Sequence, residues 1–279
     1  MLLLAATIVA NTSFALILRA AQHRRANDLA VGMINYIFAA MLFAIVGALS
    51  RPEGADTALA YAAVGGSFNV MIYLLLLPAM RLRGVAISIA MVRLAVVIPL
   101  AAAILVWNEA PSAVQTYGIA LALLAVPMLS LDRGVSNQPL TARRIAVLLG
   151  LLLSNGMTLL ILKAFQVTGF TGARSIYLAG VFTIGAVVCA GAWLRGREAP
   201  LGLPEITWGV LLGSSNALTN LLIFATLDVL LASVMFPILA AAGLSLSTIF
   251  AAIAWREVPG KLGWAGIALA VVAVVLANL

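Results

Sequence analysis

Long apolar segments alternate with short polar segments along the whole chain. A helix needs about 20 apolar residues to cross the hydrocarbon of a bilayer. Ten runs approach that length, at about residues 2–21, 29–49, 58–79, 85–107, 113–131, 143–163, 173–194, 206–225, 229–254 and 261–278. Most of the Gly, Pro, Arg, Asp and Glu residues fall between these runs. The pattern therefore predicts an all-α integral membrane protein with ten transmembrane helices.

The chain also repeats itself. Three motifs recur, with LILRAAQ at 16–22 returning as LILKAFQ at 160–166, GSFN at 66–69 as GSSN at 213–216, and WNEAP at 107–111 as WREVP at 255–259. The three offsets are 144, 147 and 148 residues, so they drift little over half the chain. A unit of five helices is thus predicted to occur twice, with a first repeat at 1–131, a linker at 132–142 and a second repeat at 143–279.

Five is an odd number, and this affects the topology of the second repeat. The second repeat must enter the membrane from the side opposite to the first, which gives two inverted repeats. Transporters built in this way place the substrate in a central cavity at the interface of the repeats.

Loop charges predict an orientation. The odd-numbered loops hold twelve Arg and Lys residues, whereas the even-numbered loops hold three. Positively charged short loops tend to remain in the cytoplasm. By this rule the odd-numbered loops are cytoplasmic and both termini are outside.

Composition restricts the class of protein further. The chain is 64% hydrophobic and 9% charged, whereas soluble domains carry about 25% charged residues. The basic residues sit singly or in pairs at the ends of apolar runs, which is typical of membrane anchors and not of nucleic-acid binding. With one Cys and one His, we expect no disulfide within the chain, no metal site and no cofactor.

Arg93 is the only formal charge well inside a predicted span. A charge at that depth usually faces a polar cavity or a partner, and a guanidinium can hold a carboxylate by two parallel hydrogen bonds. Arg93 is therefore a candidate anchor for a substrate carboxylate. The alternative is a structural arginine that binds helix-end carbonyls or extends to the interface.

Uncharged polar residues recur at matched positions of the two repeats. Asn11 matches Asn155, Asn69 matches Asn216, and Asn220 matches Tyr73. Amides in lipid must find partners, either across a helix interface or in a wet cavity. Both readings remain open. The full set of candidate cavity residues is Arg93, Asn11, Asn69, Tyr73, Asn155, Asn216, Asn220 and Ser88.

Other polar and conformational features have simpler interpretations. Pro99 and Pro237 lie within predicted helices, so they are candidate hinges or kinks. Glu109 and Glu257 each precede a proline by two residues in short loops, which favours capping over proton coupling. Tyrosines near span ends, Tyr36 and Tyr177 among them, are typical of interfacial belts.

The pattern resembles the drug/metabolite transporter (DMT) superfamily, specifically its ten-helix EamA-type exporters. The most specific match is the junction of helices 4 and 5, with Glu109, Pro111, Gln115 and Gly118; the second copy has Gly263 in place of Gln115. Helix 2 often carries an arginine in this family, and Asn35 stands there instead. The resemblance implies alternating access through a central cavity, and it implies cytoplasmic termini, against the loop charges.

The sequence and the resemblance together predict a multi-pass protein of the bacterial inner membrane that is not an enzyme. Its expected role is export of small metabolites, amino acids above all, and we expect a monomer that binds lipid and its substrate. Export of drugs is the rival within this class, although a cationic drug would call for an acidic residue at mid-depth. A non-transporting scaffold is the rival of another class, and it predicts a packed interface without a cavity.

Overall fold

The computed structural model of the chain describes residues 2–24, 26–50, 52–83, 91–131, 141–196, 201–254 and 259–277. These residues are overwhelmingly helical, and none of them forms a strand. They contain ten α-helices of nine residues or more, namely α1 Leu2–His23, α2 Asp28–Ser50, α3 Ala55–Arg83, α4 Val97–Leu105, α5 Ala113–Leu131, α6 Ala142–Val167, α7 Arg174–Gly196, α8 Leu203–Leu227, α9 Ala232–Ala254 and α10 Lys261–Ala277. The linker predicted at 132–142 lies almost wholly outside the described residues.

Seven of these helices are long and apolar enough to cross a membrane, judged by length and composition. They are α1, α2 and the five consecutive helices α5 to α9. Two further apolar helical stretches, Met91–Leu105 and Lys261–Leu276, are shorter. The chain therefore has the make-up of a multi-pass membrane protein.

The outer faces of the long helices fit a lipid surrounding. Large apolar side chains in mid-helix are more than half exposed, including Met41 and Ile45 on α2, Leu124 on α5 and Val187 on α7. Soluble monomers rarely expose contiguous apolar patches of such extent. Hydrocarbon, in place of water, accounts for these faces.

The chain forms two compact units that do not follow its two halves. Unit 1 comprises Met1–Thr12, Met71–Leu160 and Ala225–Leu279, and unit 2 comprises Ser13–Val70 and Ile161–Phe224. Each unit thus takes corresponding segments from both sequence repeats. Four helices, α1, α3, α6 and α8, contribute residues to both units.

Helices that the predicted repeats place at corresponding positions pack on each other inside each unit. In unit 2, α2 packs on α7; in unit 1, α4 packs on α9 and α5 packs on α10. The α5–α10 contact is close at Gly266, where an added Cβ would lie 3.2 Å from the backbone nitrogen of Leu129.

The recurring GSFN and GSSN motifs make reciprocal contacts in unit 2. A Cβ added to Gly66 on α3 would lie 3.2 Å from the Cα of Val181 on α7. A Cβ added to Gly213 on α8 would lie 2.9 Å from the carbonyl oxygen of Asn35 on α2. Asn35 and Val181 occupy corresponding positions of the two repeats, 146 residues apart, so the two glycines are used in the same way.

We expect Gly213→Ala to destabilise the protein, because the new methyl group would meet the Asn35 carbonyl oxygen at 2.9 Å and the Phe38 ring at 3.0 Å, and backbone cannot move aside as a flexible side chain can. Forcing such a group into a packed contact costs about 1–3 kcal/mol. Gly191→Ala is the matched control, since a Cβ there has no neighbour within 4 Å. Thermal unfolding in detergent should show a lower midpoint for Gly213→Ala alone. Equal midpoints would mean that α2 and α8 are not in close contact.

Candidate functional site

The helical path that leads to α4 is interrupted beside Arg93. Residues 91–94 are helical, Ala95 and Val96 form a turn, and α4 begins at Val97. Pro99 has no N–H to donate to the Ala95 carbonyl, which accepts the N–H of Ile98 at 3.1 Å instead. Proline is well tolerated in a first helical turn, because N–H groups there have no helical acceptor. The candidate hinge at Pro99 therefore lies next to a discontinuity.

Pro237, the second candidate hinge, behaves differently. It lies inside α9, which continues without interruption from Ala232 to Ala254. It is the sixth residue of that helix, so only the carbonyl of Ser233, in the first turn, loses its helical donor.

Arg93 lies on the short helical segment before the interruption, and its side chain is partly buried within unit 1. Its guanidinium reaches α9 at Gly243, where an added Cβ would lie 4.0 Å from Nη1. The same Cβ position is 3.8 Å from the hydroxyl of Thr12 on α1. Within the described part of the chain, the guanidinium forms no hydrogen bond and no ion pair. A cation with unused donors thus faces a position that lacks a side chain.

Two neighbouring polar residues of α1, Thr12 and Asn11, differ in their hydrogen bonding. The Thr12 hydroxyl donates to the Ile8 carbonyl at 2.7 Å, which leaves its oxygen able to accept a further hydrogen bond. Asn11 is partly exposed, and its amide forms no hydrogen bond to any residue that the structure describes.

Asn155 on α6 is engaged with the interrupted segment. Its side-chain nitrogen donates to the backbone carbonyl of Val92 at 2.6 Å. The neighbouring Gly156 lies against Ile98, whose Cβ would be 2.8 Å from a Cβ added to the glycine. The amide predicted to contact substrate therefore binds the backbone next to Arg93.

The other predicted amides, Asn69, Asn216 and Asn220, lie in unit 2, where two of them form a chain with Asn35 of α2. Asn220 donates to both oxygens of Asn216, the carbonyl at 2.9 Å and Oδ1 at 3.0 Å. Asn216 donates in turn to Oδ1 of Asn35 at 3.3 Å. These bonds join α8 to α2, which is the helix-linking role that amides in membrane helices commonly have. Asn69, on α3, lies beside the side chain of Tyr36 on α2.

Tyr36 and Tyr177 are buried, so the prediction of interfacial belts was wrong for both. Tyr177 is 2% exposed and stacks on Phe165 with ring centroids 4.7 Å apart. Phe224 meets both rings edge-on, at 6.1 and 5.8 Å. Tyrosine near a helix end is equally suited to an aromatic core when three helices meet there.

Three predicted residues cannot be placed fully. Ser88 and Glu257 lie outside the described residues. Tyr73 is on α3, but its side chain is outside the described part. As for metals, the described residues contain no group of three or more His, Cys, Asp or Glu side chains that could hold an ion.

Glu109 caps a helix, as its loop position predicted. Its Oε2 accepts the N–H and the hydroxyl of Ser233, both at 2.8 Å, at the N-terminus of α9. Asn108 has a positive φ of 51°, and the Glu109 N–H returns to the Ala103 carbonyl at 3.0 Å. A carboxylate at a helix N-terminus satisfies otherwise unpaired N–H groups and complements the helix dipole.

We expect Glu109→Ala to lower the free energy of unfolding by about 1–2 kcal/mol, the usual cost of losing such a cap. Glu109→Gln keeps an acceptor oxygen, so its loss should be smaller. Glu53→Ala removes an exposed carboxylate and serves as the control. Thermal unfolding of the purified variants measures how these stability losses rank. If Glu109→Ala and Glu53→Ala unfold at the same midpoint, Glu109 does not stabilise α9 as a cap.

Comparison with known proteins identifies the fold but no activity. No protein-family model matches the chain, and no curated protein matches it either. The fold is similar to that of a solved structure described only as the crystal structure of a protein, with a TM-score of 0.73 and 16% sequence identity. That similarity covers 99% of this chain and 96% of the other. At this identity the likeness establishes the fold alone.

Proposed function

We propose that this chain is a secondary transporter of the DMT type that exports small carboxylate-bearing metabolites. Amino acids are the best substrate class, and the bacterial inner membrane is the proposed location. In this proposal all ten helices span the membrane, as two inverted repeats of five that work by alternating access.

The packing within the units supports duplicated and inverted halves. Equivalent helices pack in pairs, α2 on α7, α4 on α9 and α5 on α10. The glycines of the GSFN and GSSN motifs approach corresponding positions of the opposite repeat. Such reciprocity is expected of two homologous halves related by a twofold axis, and inverted halves are a common construction of secondary transporters.

A single observation carries the proposed substrate class, namely that the Arg93 guanidinium, in an apolar helix unit, has no anionic partner among the residues that the structure describes. Burying an arginine inside a membrane protein is costly unless a partner or water compensates it. A carboxylate held by two parallel N–H···O bonds is the partner that its planar shape fits best. The Thr12 oxygen could accept a hydrogen bond from the same solute. An amino acid offers both a carboxylate and an N–H donor.

The alternatives are less well supported by the same residues. A cationic drug would be repelled by Arg93, whose charge is not neutralised by any described acidic side chain. A passive scaffold has no need of an arginine that lacks an ion pair with every described residue and lies beside a helix interruption, because such a group only costs stability.

The test is transport by purified protein in liposomes loaded with labelled amino acids. We expect efflux faster than from protein-free liposomes, and faster for amino acids than for the corresponding decarboxylated amines. Equal efflux from liposomes with and without protein, over a panel of amino acids, would refute the proposal.

A further inference from the structure

The interruption beside Arg93 leaves a backbone carbonyl without its helical donor. In a continuous helix the Val92 carbonyl would accept the N–H of Val96. Here the Val96 N–H points to the carbonyl of Arg93 instead, at 3.4 Å. An unsatisfied carbonyl is costly in a membrane, where no water replaces the lost donor. The Val92 carbonyl therefore requires a donor from elsewhere.

Asn155 supplies that donor from α6. Its N–H···O bond to Val92 is 2.6 Å long, and Val92 immediately precedes Arg93. Gly156 allows α6 to approach Ile98 on the other side of the turn. The Asn155–Gly156 pair thus contacts the chain on both sides of the interruption, which fixes the short segment that carries Arg93.

The matching residue of the first repeat provides an internal comparison. Asn11 corresponds to Asn155 by the 144-residue offset of the repeated LILRAAQ motif. The helix of the second repeat that corresponds to α4 is α9. It is continuous through Gly243, so it has no carbonyl that lacks its helical donor at the position corresponding to Val92. The two asparagines therefore occupy matched positions in the sequence but differ in their partners: Asn155 binds a backbone carbonyl, whereas the Asn11 amide forms no hydrogen bond to a described residue.

We infer that Asn155 is a positioning residue for Arg93: by holding the Val92 carbonyl it fixes the direction of the guanidinium that binds the substrate carboxylate. This inference rests on the proposed function for its consequence in transport. Its structural part, the placement of residue 93 by Asn155, holds independently of any substrate.

The transport test uses two substitutions of similar size. Asn155→Leu removes the donor, and we expect KM for amino acids to rise about tenfold while the maximal rate stays within about twofold. Asn155→Asp lacks a donor when ionised but can donate an O–H when protonated, so its KM should fall towards the wild-type value as the pH is lowered. Thr158→Val, on the same helix, removes a hydroxyl that donates to the Ser154 carbonyl of its own helix, and should leave KM unchanged.

A second readout does not need transport. Cys189 is the only cysteine, so Cys189→Ala gives a background in which Arg93→Cys can be labelled with a water-soluble thiol reagent. Adding Asn155→Leu should change the labelling rate at least about threefold, whereas adding Thr158→Val should not. If the leucine variant does not fold, the pH dependence of KM in Asn155→Asp tests the positioning role, and a KM that does not fall as the pH is lowered would overturn that role.

The outcomes separate the two proposals. A changed labelling rate without any transport by the wild type would refute the proposed function and keep the role of Asn155. Normal amino-acid transport with an unchanged KM in Asn155→Leu, or an unchanged labelling rate, would overturn the positioning role alone.

Discussion

Arg93→Ala should reduce transport of amino acids at least about thirtyfold, measured as the maximal rate divided by KM in liposomes. Removing one partner of a desolvated, hydrogen-bonded charge pair costs about 2 kcal/mol or more, which corresponds to that factor. Arg93→Lys keeps the charge but loses the two parallel donors, so we expect an intermediate rate. The same variants should transport decarboxylated amines no more slowly than the wild type.

Arg195→Ala is the control for this experiment, because Arg195 is exposed at the end of α7. It should leave transport unchanged. If Arg93→Ala slows amino acids and their decarboxylated amines by the same factor, Arg93 stabilises the fold and does not recognise a carboxylate.

Gly243→Leu should reduce the same ratio by about a hundredfold, although Arg93 is still present. An added Cβ has room at this position, with Arg93 and Thr12 atoms at ordinary contact distances of 4.0 and 3.8 Å. Gly243→Ala should therefore fold normally and transport well. A leucine extends farther into the space before the guanidinium, and a displacement of about 1 Å at a reacting or binding group can cost about a hundredfold.

The control for bulk is Gly191→Leu, where a Cβ meets nothing within 4 Å. Thermal unfolding must accompany the rates, so that steric blocking is distinguished from loss of structure. Rapid amino-acid transport by a folded Gly243→Leu protein would show that the solute does not pass beside Gly243.

The helices could be predicted from the sequence more completely than their contacts. Apolar runs and polar breaks give the helix positions because lipid requires that every backbone group be bonded within its own segment. The run at 85–107 conceals the turn at Ala95 and Val96, since hydropathy does not register a lost hydrogen bond. In the sequence, only Pro99 indicated an interruption of this helix. A proline alone is not a sufficient signal, because α9 is continuous through Pro237 in an equally apolar run. The recurring motifs were evident in the sequence, whereas the joining of segments from both halves of the chain in each unit was not.

For the candidate site, charge was a more informative signal than amide content. Arg93 stood out because a buried charge is costly wherever it points. Asn155 and Asn11 have the same sequence context, yet only the structure shows that one of them binds a backbone carbonyl. Gly243 gave no signal among 23 glycines, because its importance lies in the side chain that it lacks.

The make-up of the two units has a consequence for the origin of the protein. A polypeptide of one repeat would hold only part of each core, since unit 1 and unit 2 both draw on residues before and after the linker. If the two halves arose by duplication, as the recurring motifs predict, an ancestor of half the length would have needed a second copy of itself to complete either core. Joining the two copies in one chain would then allow matched residues, such as Asn11 and Asn155, to differ in their partners.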